Sequence, residues 1–200
     1  LFLKAVEDTN GDGKIGNSFD YGQIFCYYLE TGEEKQLTEY GDNTAVMLSD
    51  DSRVFYSVNE DIDGDGKLDY CNKIYSMNIH GKNKVRLTQG EYCETLKGIS
   101  RQGGYLITFS ARKDTSEDGI VNIWDKFETY LIDFDGKDLL KLEVSTWGNT
   151  FFFPDKAGER IIFKAPAPEF EGAIPHRGYV GSKISNIYMV EIKIRGENEK

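Results

Sequence analysis

The sequence predicts an all-β protein assembled from repeated antiparallel sheets. Aspartate-rich segments recur at intervals of roughly 50 residues, a spacing typical of solenoid and propeller repeats. Tyrosine and phenylalanine are abundant at 12 each, whereas the chain has only 4 prolines, and this composition favours short strands joined by Gly and Asp turns. Side chains alternate in runs such as 54–58, and no run in the sequence has a helical period.

Each repeat contains the same elements in the same order. A β-like run comes first, at 1–6, 53–58 and 105–112, and an Asp-rich loop follows it. A second β-like run comes after the loop, at 23–29, 73–79 and 128–134. A polar turn and a short strand then close the repeat, and the short strands end at Leu37-Thr38, Leu87-Thr88 and Leu142-Glu143.

One more strand precedes the second and third repeats, at 44–48 and 95–99, and a fourth repeat comprises 149–153, 160–165 and 186–190. Four antiparallel strands per repeat are typical of a propeller blade. We therefore predict a single β-propeller or partial propeller over 1–200, with blades at about 1–38, 39–89, 90–145 and 146–200. Either the chain is part of a larger propeller or a mixed blade closes the ring, and exposed blade edges would favour self-association.

The repeats resemble the TolB-type, WD40-like (PD40) β-propeller repeat. That repeat has a Ser-Pro-Asp-Gly turn, an Ile-Tyr strand, an Asp-Gly turn and a closing Leu-Thr pair. The matching residues are Ile74-Tyr75, Ile187-Tyr188, Leu37-Thr38 and Leu87-Thr88. The first turn is degenerate and the usual Trp before it is absent; its nearest forms are Ser49-Asp50-Asp51-Ser52 and Phe153-Pro154-Asp155. The resemblance implies a propeller over nearly the whole chain.

The second Asp-rich loop, at 61–69, is the strongest motif in the chain. Its acidic side chains occupy positions 1, 3, 5 and 9, and the glycine at position 6 permits a sharp turn. This spacing predicts a calcium site, and the pattern resembles the calcium loops of integrin-type propeller blades. The predicted ligands are Asp61, Asp63, Asp65, the carbonyl oxygen of Lys67, and Asp69. The alternative is a metal-free turn, since Gly and Asp favour turns on their own.

The first loop has the same spacing but lacks one ligand. Gly16 stands at position 9, so that either Asp20 or a water molecule would complete the coordination shell. The other predicted ligands of this loop are Asp8, Asn10, Asp12 and the carbonyl oxygen of Lys14.

The third loop carries fewer charges, and calcium affinity is expected to fall with the number of charged ligands. Its predicted ligands are Asp114, Ser116, Asp118, the carbonyl oxygen of Ile120, and Asn122.

These loops fit an EF-hand poorly. Position 12 of an EF-hand loop needs a bidentate Glu, and here that position holds Phe19, Asn72 or Asp125. Oxygen ligands without His or Cys favour calcium over zinc or copper. We expect up to three structural Ca²⁺ ions, each offsetting the self-repulsion of one loop and stabilising the folded state by mass action.

The fourth repeat has a different segment, 165–183, at the place of a cation loop. It contains three of the four prolines, and long loops on rigid scaffolds often carry function. Candidate ligand-binding residues there are His176, Arg177 and Tyr179. The alternative is a surface loop or a contact between blades.

Charge and cysteine content narrow the classes of partner. The formal net charge of −10 makes nucleic acid and anionic membrane surfaces poor partners, and no segment has the length of a membrane span.

The chain has three cysteines, an odd number without CxxC spacing, which disfavours a zinc site or a full disulfide framework; they are Cys26, Cys71 and Cys93. One pair could form a bridge, but we expect free thiols.

No catalytic signature such as GxSxG, HExxH or a P-loop is present in the sequence. The leading hypothesis is a non-catalytic, calcium-stabilised propeller that binds a protein or glycan in an extracellular, cell-surface or periplasmic location. The alternative is the propeller domain of an enzyme, either a prolyl-oligopeptidase-like peptidase or an oligogalacturonate-lyase-like protein, as the TolB-like resemblance implies.

Overall fold

A computed structural model describes residues 1–16, 20–61, 64–69, 71–89, 92–100, 104–111, 113–115, 117, 119, 121, 127–137, 139–142, 152–154, 160–166 and 185–191. Within these ranges every regular element is a β-strand. Accordingly, no helix in them has the length and apolar character of a membrane crossing.

The described strands form four antiparallel sheets in chain order. The first sheet contains β1 (Phe2–Ala5), β2 (Gly22–Tyr28) and β3 (Glu33–Gln36). The second contains β4 (Asp42–Leu48), β5 (Arg53–Asn59), β6 (Asn72–Asn78) and β7 (Val85–Arg86). The third contains β8 (Cys93–Ser100), β9 (Tyr105–Ala111), β10 (Phe127–Asp133) and β11 (Leu139–Leu142). The fourth contains β12 (Phe152–Pro154), β13 (Arg160–Pro166) and β14 (Ser185–Glu191).

Each sheet is a meander in which consecutive strands pair as neighbours. The first strands of the second, third and fourth sheets contact one another in succession, β4 with β8 and β8 with β12. Sheets joined side by side through their first strands are the arrangement of propeller blades. The predicted all-β fold class is therefore confirmed, while the blade boundaries and the number of blades stay predictions.

Strand β5 is apolar on both faces because it packs against the first sheet on one side and the third sheet on the other. Val54 and Tyr56 pack towards the first sheet in a cluster that includes Ile24 of β2. The intervening Phe55 packs on the opposite face, in a cluster with Leu96 of β8. Because successive side chains of a strand point to opposite faces, one strand contributes to two inter-sheet cores.

The Leu-Thr pair explains how the chain leaves one sheet for the next. The backbone N–H of Leu37 donates to the carbonyl of Ile24 (2.8 Å), and the Thr38 hydroxyl then accepts the N–H of Ile24 (2.8 Å). Leu87 and Thr88 bond to Ile74 in the same way, at 2.8 and 3.1 Å. A side-chain hydroxyl thus replaces the next backbone partner, which frees the main chain to turn away without leaving a buried N–H unpaired.

Turn glycines pack against these leucines from the following sheet. Gly81 and Gly136 both have positive φ, at 77° and 72°. A Cβ at Gly81 would lie 3.1 Å from the carbonyl oxygen of Leu37, and one at Gly136 would lie 2.5 Å from that of Leu87. Glycine is required there for its conformation and for the close approach of two backbones.

The Cys71 and Cys93 thiols are joined in a disulfide, so the expectation of free thiols is wrong for these two residues. Cys71 lies just before β6, and Cys93 begins β8, with their Cα atoms 4.7 Å apart. The bridge joins the second sheet to the third, and sequence spacing does not reveal that these strand ends are neighbours. Cys26 is a buried free cysteine, as expected.

We expect Gly136→Ala to destabilise the protein more than Gly104→Ala. Gly104 also has positive φ, at 69°, but a Cβ at that position would meet no described atom within 4 Å. Both variants carry the cost of a left-handed L-residue, about 1–2 kcal/mol. Only Gly136→Ala adds overpacking against Leu87, worth roughly 1–3 kcal/mol more. Urea denaturation measures the difference, and equal losses would contradict the inter-sheet contact.

We expect the Cys71→Ser/Cys93→Ser double variant to lose about 3 kcal/mol of unfolding free energy, the loop-closure value for a separation of 22 residues. Thermal denaturation with and without dithiothreitol provides the control. The reductant should lower the Tm of the wild type and leave that of the double variant unchanged. A reductant effect of the same size on both proteins would contradict the assignment.

Candidate cation loops and the face that they form

The three Asp-rich loops lie at the same end of the strands in their sheets. Each joins the second strand position of a repeat to the third, between β1 and β2, β5 and β6, and β9 and β10. Because hairpin connections alternate between the two ends of the strands in an antiparallel meander, these loops lie at the same end as the links that leave the first sheet at 37–41 and the second sheet at 87–89. We call the surface at this end of the strands the loop face and the surface at the opposite end the turn face.

In the first loop, Asp8 organises the backbone. Its Oδ1 accepts the N–H groups of Gly11 (2.7 Å) and Asp12 (3.1 Å), and its Oδ2 accepts that of Gly13 (2.7 Å). Asn10 Oδ1 accepts the N–H of Asp12 at 2.9 Å, and Asp12 Oδ1 accepts that of Lys14 at 2.9 Å. The predicted side-chain ligands of positions 1, 3 and 5 thus all face into the loop.

The buried Asp20 closes the first loop. Its Oδ1 accepts the N–H of Thr9 (3.0 Å), and its Oδ2 accepts that of Gly16 (2.9 Å). The Thr9 hydroxyl in turn accepts the N–H of Tyr21 (2.8 Å). Asp20 therefore fastens the two ends of the loop to each other and to the start of β2.

The second and third loops repeat the bonding of Asp8. Asp61 accepts the N–H of Gly64 on Oδ1 (2.7 Å) and that of Gly66 on Oδ2 (2.9 Å). Asp114 accepts the N–H of Glu117 on Oδ1 (2.7 Å) and that of Gly119 on Oδ2 (2.8 Å). In all three loops the carboxylate at position 1 therefore accepts the N–H groups of positions 4 and 6. The residues at positions 4 and 6 have positive φ in every loop.

The base of the second loop is held by polar contacts outside the motif. Glu60 accepts the N–H of Asp69 on its backbone carbonyl (3.0 Å). Its carboxylate accepts the Tyr75 hydroxyl (2.7 Å) and lies 3.7 Å from the Arg86 guanidinium. Burial and this hydrogen bond to Glu60 raise the pKa of the Tyr75 phenol. Tyr75 and Arg86 thus keep Glu60, and with it the closing Asp69, in place.

The predicted donors of the loops suit a hard cation, because all of them are oxygens, from carboxylate, amide, hydroxyl and backbone carbonyl groups. Asp65 Oδ1 accepts the N–H of Lys67 (2.8 Å), as Asp12 does for Lys14. Among the described residues, no group of three or more His, Cys, Asp or Glu side chains is arranged to hold a metal ion. Several predicted ligands lie outside those residues, namely Asp63, Ser116, Asp118, Ile120 and Asn122.

The candidate ligand residues His176, Arg177 and Tyr179 also lie outside the described residues. His80 is the one histidine in the described part of the chain, and it is exposed in the turn between β6 and β7. Its N–H donates to Asn78 Oδ1 (3.0 Å), which is a local turn contact.

A groove of about 730 Å³ lies on the loop face between the first and second loops. Tyr21 and Tyr40 line it, and their side chains are exposed by 38% and 61%. The Tyr40 hydroxyl accepts the N–H of Asp61 (3.3 Å), which links the groove wall to the second loop. Sequence motifs did not reveal this groove, since its walls come from separate repeats.

A smaller cleft of about 340 Å³ lies on the turn face, where the second sheet meets the third. Arg53 donates to the carbonyl of Phe134 (3.0 Å) and to Asp135 Oδ1 (3.0 Å). Asp51 lies 3.6 Å from the same guanidinium, and a hydrogen bond from Ser49 lowers the pKa of its carboxyl. The charged groups of this cleft pair with one another and join the two sheets.

No protein-family model matches the chain, and no curated protein is similar to it in sequence. Three solved structures of propeller-type proteins are similar to parts of it. A TolB-type protein from Agrobacterium tumefaciens is 19% identical over 60% of this chain and 40% of its own, with a TM-score of 0.45. An oligogalacturonate lyase in complex with manganese is 15% identical over 67% and 33%, with a TM-score of 0.46. An acylaminoacyl peptidase from Pyrococcus horikoshii is 17% identical over 86% and 28%, with a TM-score of 0.45.

The chain therefore spans less than half the length of each of these solved structures. The activities that their names state belong to those proteins. The fold class of this chain is established by its own sheets and by the contacts between them.

We expect Asp61→Asn to lower the free energy of unfolding by about 0.5–1.5 kcal/mol in the presence of a chelator. The amide retains one acceptor oxygen, so one of the N–H groups of Gly64 and Gly66 loses its partner. Glu30→Gln is the control, because it removes the same charge from an exposed turn outside the loops. Urea denaturation should give a control within about 0.5 kcal/mol of the wild type. Equal losses in the two variants would refute the role of Asp61.

Proposed function

We propose that this chain is a non-catalytic, calcium-stabilised propeller scaffold that binds a protein or glycan outside the cytoplasm. The observation that carries the proposal is the common geometry of the three loops. In each loop the carboxylate at position 1 accepts the backbone N–H groups of positions 4 and 6. The same arrangement in three separate segments favours a common role over irregular links between strands, and a calcium titration distinguishes that role from metal-free Asp-Gly turns.

Calcium suits these loops for an electrostatic reason. Each loop concentrates carboxylates on a short stretch of exposed backbone, and the whole chain carries a net charge of −10. A divalent cation bound by the oxygens of positions 1, 3 and 5 would offset this repulsion and stabilise the folded state. Asp8, Asn10 and Asp12 would hold the ion in the first loop, and Asp61, Asp63 and Asp65 would hold it in the second. Up to three ions would act as structural links, one for each hairpin.

Two further observations support a binding role outside the cytoplasm. The Cys71–Cys93 disulfide indicates an oxidising compartment. The loop face presents long connections on a rigid set of sheets, and such connections often carry binding residues. An extracellular, a cell-surface and a periplasmic location all agree with the disulfide.

We expect calcium to raise the Tm of this protein. Calcium at a hundredfold excess over its Kd adds about 2.7 kcal/mol, which corresponds to roughly 5–10 °C for a domain of this size. Differential scanning fluorimetry with calcium, with magnesium and with a chelator measures the shift. Asp61→Asn should reduce the shift, and Glu30→Gln should retain it.

If neither calcium nor a chelator changes the Tm, the calcium proposal is wrong. If magnesium gave the same shift as calcium at equal concentration, the loops would be general cation sites without the calcium preference proposed above. Calcium bound per chain, measured by isothermal titration calorimetry, gives the number of occupied loops.

A further inference from the structure

We propose that the groove between the first and second loops binds a neutral oligosaccharide, an inference that rests on the proposed ligand-binding function and gives it a place and a ligand class. The groove is lined by Glu7, Tyr21, Gln36, Glu39, Tyr40 and Leu68. Its volume of about 730 Å³ lies within the range of small-molecule sites, roughly 300–1,000 Å³.

The side chains of the groove match the two surfaces of a sugar. The exposed rings of Tyr21 and Tyr40 offer flat, electron-rich faces on which the polarised C–H groups of a pyranose can stack. Tyrosine supplies this contact area at low cost in conformational entropy. Gln36, Glu7 and Glu39 provide hydrogen-bond donors and acceptors for hydroxyl groups, and Leu68 adds an apolar contact.

The floor of the groove is held in place by a polar network. The buried Gln23 donates from Nε2 to the carbonyl of Gly41 (2.9 Å) and accepts the Thr38 hydroxyl on Oε1 (2.9 Å). Gln36 donates from Nε2 to the carbonyl of Thr38 (2.7 Å). A pre-organised floor lowers the entropic cost of binding, which matters for a ligand whose individual contacts are weak.

The charge of the lining disfavours an anionic ligand. Among the described residues, no Lys, Arg or His lines the groove, and Glu7 and Glu39 would repel an anionic sugar or a phosphate. A cationic peptide would be attracted to Glu7 and Glu39 as well as to the metal-free loops; calcium would offset only the attraction of the loops, so hexalysine is the competing probe in the test. A neutral, hydroxyl-rich ligand fits the groove in its calcium-loaded state.

As far as the structure describes it, the junction between the second and third sheets lacks the exposed tyrosine that lines the groove at the junction between the first and second. Gln23 and Lys73 occupy equivalent positions at the two junctions. Gln23 donates to the carbonyl of Gly41, and Lys73 donates to that of Tyr92. Two residues before them stand Tyr21 and Cys71, respectively. At the position of Tyr21 the second junction therefore carries a disulfide-bonded cysteine. One junction is closed by a covalent link, and the other presents an exposed tyrosine.

The test uses the calcium-loaded chain and a fixed set of probes in isothermal titration calorimetry. The neutral probes are cellohexaose, maltohexaose, mannohexaose and chitohexaose, and the charged probes are hexagalacturonate and hexalysine. We expect at least one neutral probe to bind, and we expect neither charged probe to bind more tightly than it does. Tighter binding of hexalysine or hexagalacturonate would overturn the ligand class.

Variants of the tyrosines locate the binding. Tyr40→Ala should weaken the binding of the neutral probe by about tenfold or more, since a truncated aromatic anchor often has that effect. Tyr40→Phe keeps the ring and loses only the contact with Asp61, so it should retain most of the affinity. Tyr27→Ala is the matched control, because Tyr27 is exposed by 49% on β2 and does not line the groove. Equal affinity of Tyr40→Ala and Tyr27→Ala would overturn the site.

The failures of this inference and of the proposed function are distinguishable. If calcium raises the Tm but no neutral probe binds, the groove assignment is wrong and the calcium-stabilised scaffold stands. If a neutral probe binds in a manner that depends on Tyr40 while calcium leaves the Tm unchanged, the groove stands and the calcium proposal fails.

Discussion

The packing of one sheet after another depends on the hydrogen bonds of the Leu-Thr pairs. These bonds tie the end of a sheet to Ile24 of β2 or to Ile74 of β6. They end backbone pairing at Leu37 or Leu87 and substitute a threonine hydroxyl for the next carbonyl. The chain can then cross to the next sheet with its buried N–H groups paired. The next sheet returns a turn glycine to the same leucine, at Gly81 or Gly136. The second and third sheets are therefore each positioned by the end of the sheet before, and the contact is made by backbone atoms, which tolerate little change in side-chain volume.

The junction between the first and second sheets and the junction between the second and third share one backbone arrangement but differ in their side chains. Beneath the groove, Gln23, Thr38 and Asn43 form a buried network of neutral groups. At the next junction a buried lysine, Lys73, and a buried glutamate, Glu94, lie beside the disulfide. Burial lowers the pKa of Lys73, and the charge of Glu94 acts in the opposite direction. Replacing an amide network by buried charges raises the cost of desolvation, and a covalent link at the same junction secures it.

Sequence reasoning succeeded for features that are local in the chain. Period-two alternation placed the strands, because the side chains of β5 serve two cores in turn. The Asp-rich spacing predicted three related loops, and their bonding is local because Asp8, Asp61 and Asp114 each contact N–H groups within five residues. The disulfide and the groove were missed for the opposite reason. Cys71 meets Cys93, and Tyr21 and Tyr40 come to line one groove with Leu68, only after neighbouring sheets have packed.

The loops and the groove are parts of one surface, and their connections run through single hydrogen bonds. Tyr40 is tied to the first residue of the second motif through Asp61, and Tyr21 is tied to the first motif through Thr9. The sheets do not depend on these contacts, because their cores and inter-sheet bonds lie beneath the loops. A cation in either loop would stabilise the folded loop by mass action, and it would also order the walls of the groove by holding Asp61 or the Thr9–Asp20 closure in one arrangement. Metal and ligand would in that case stabilise each other's binding, since each orders backbone that the other needs ordered.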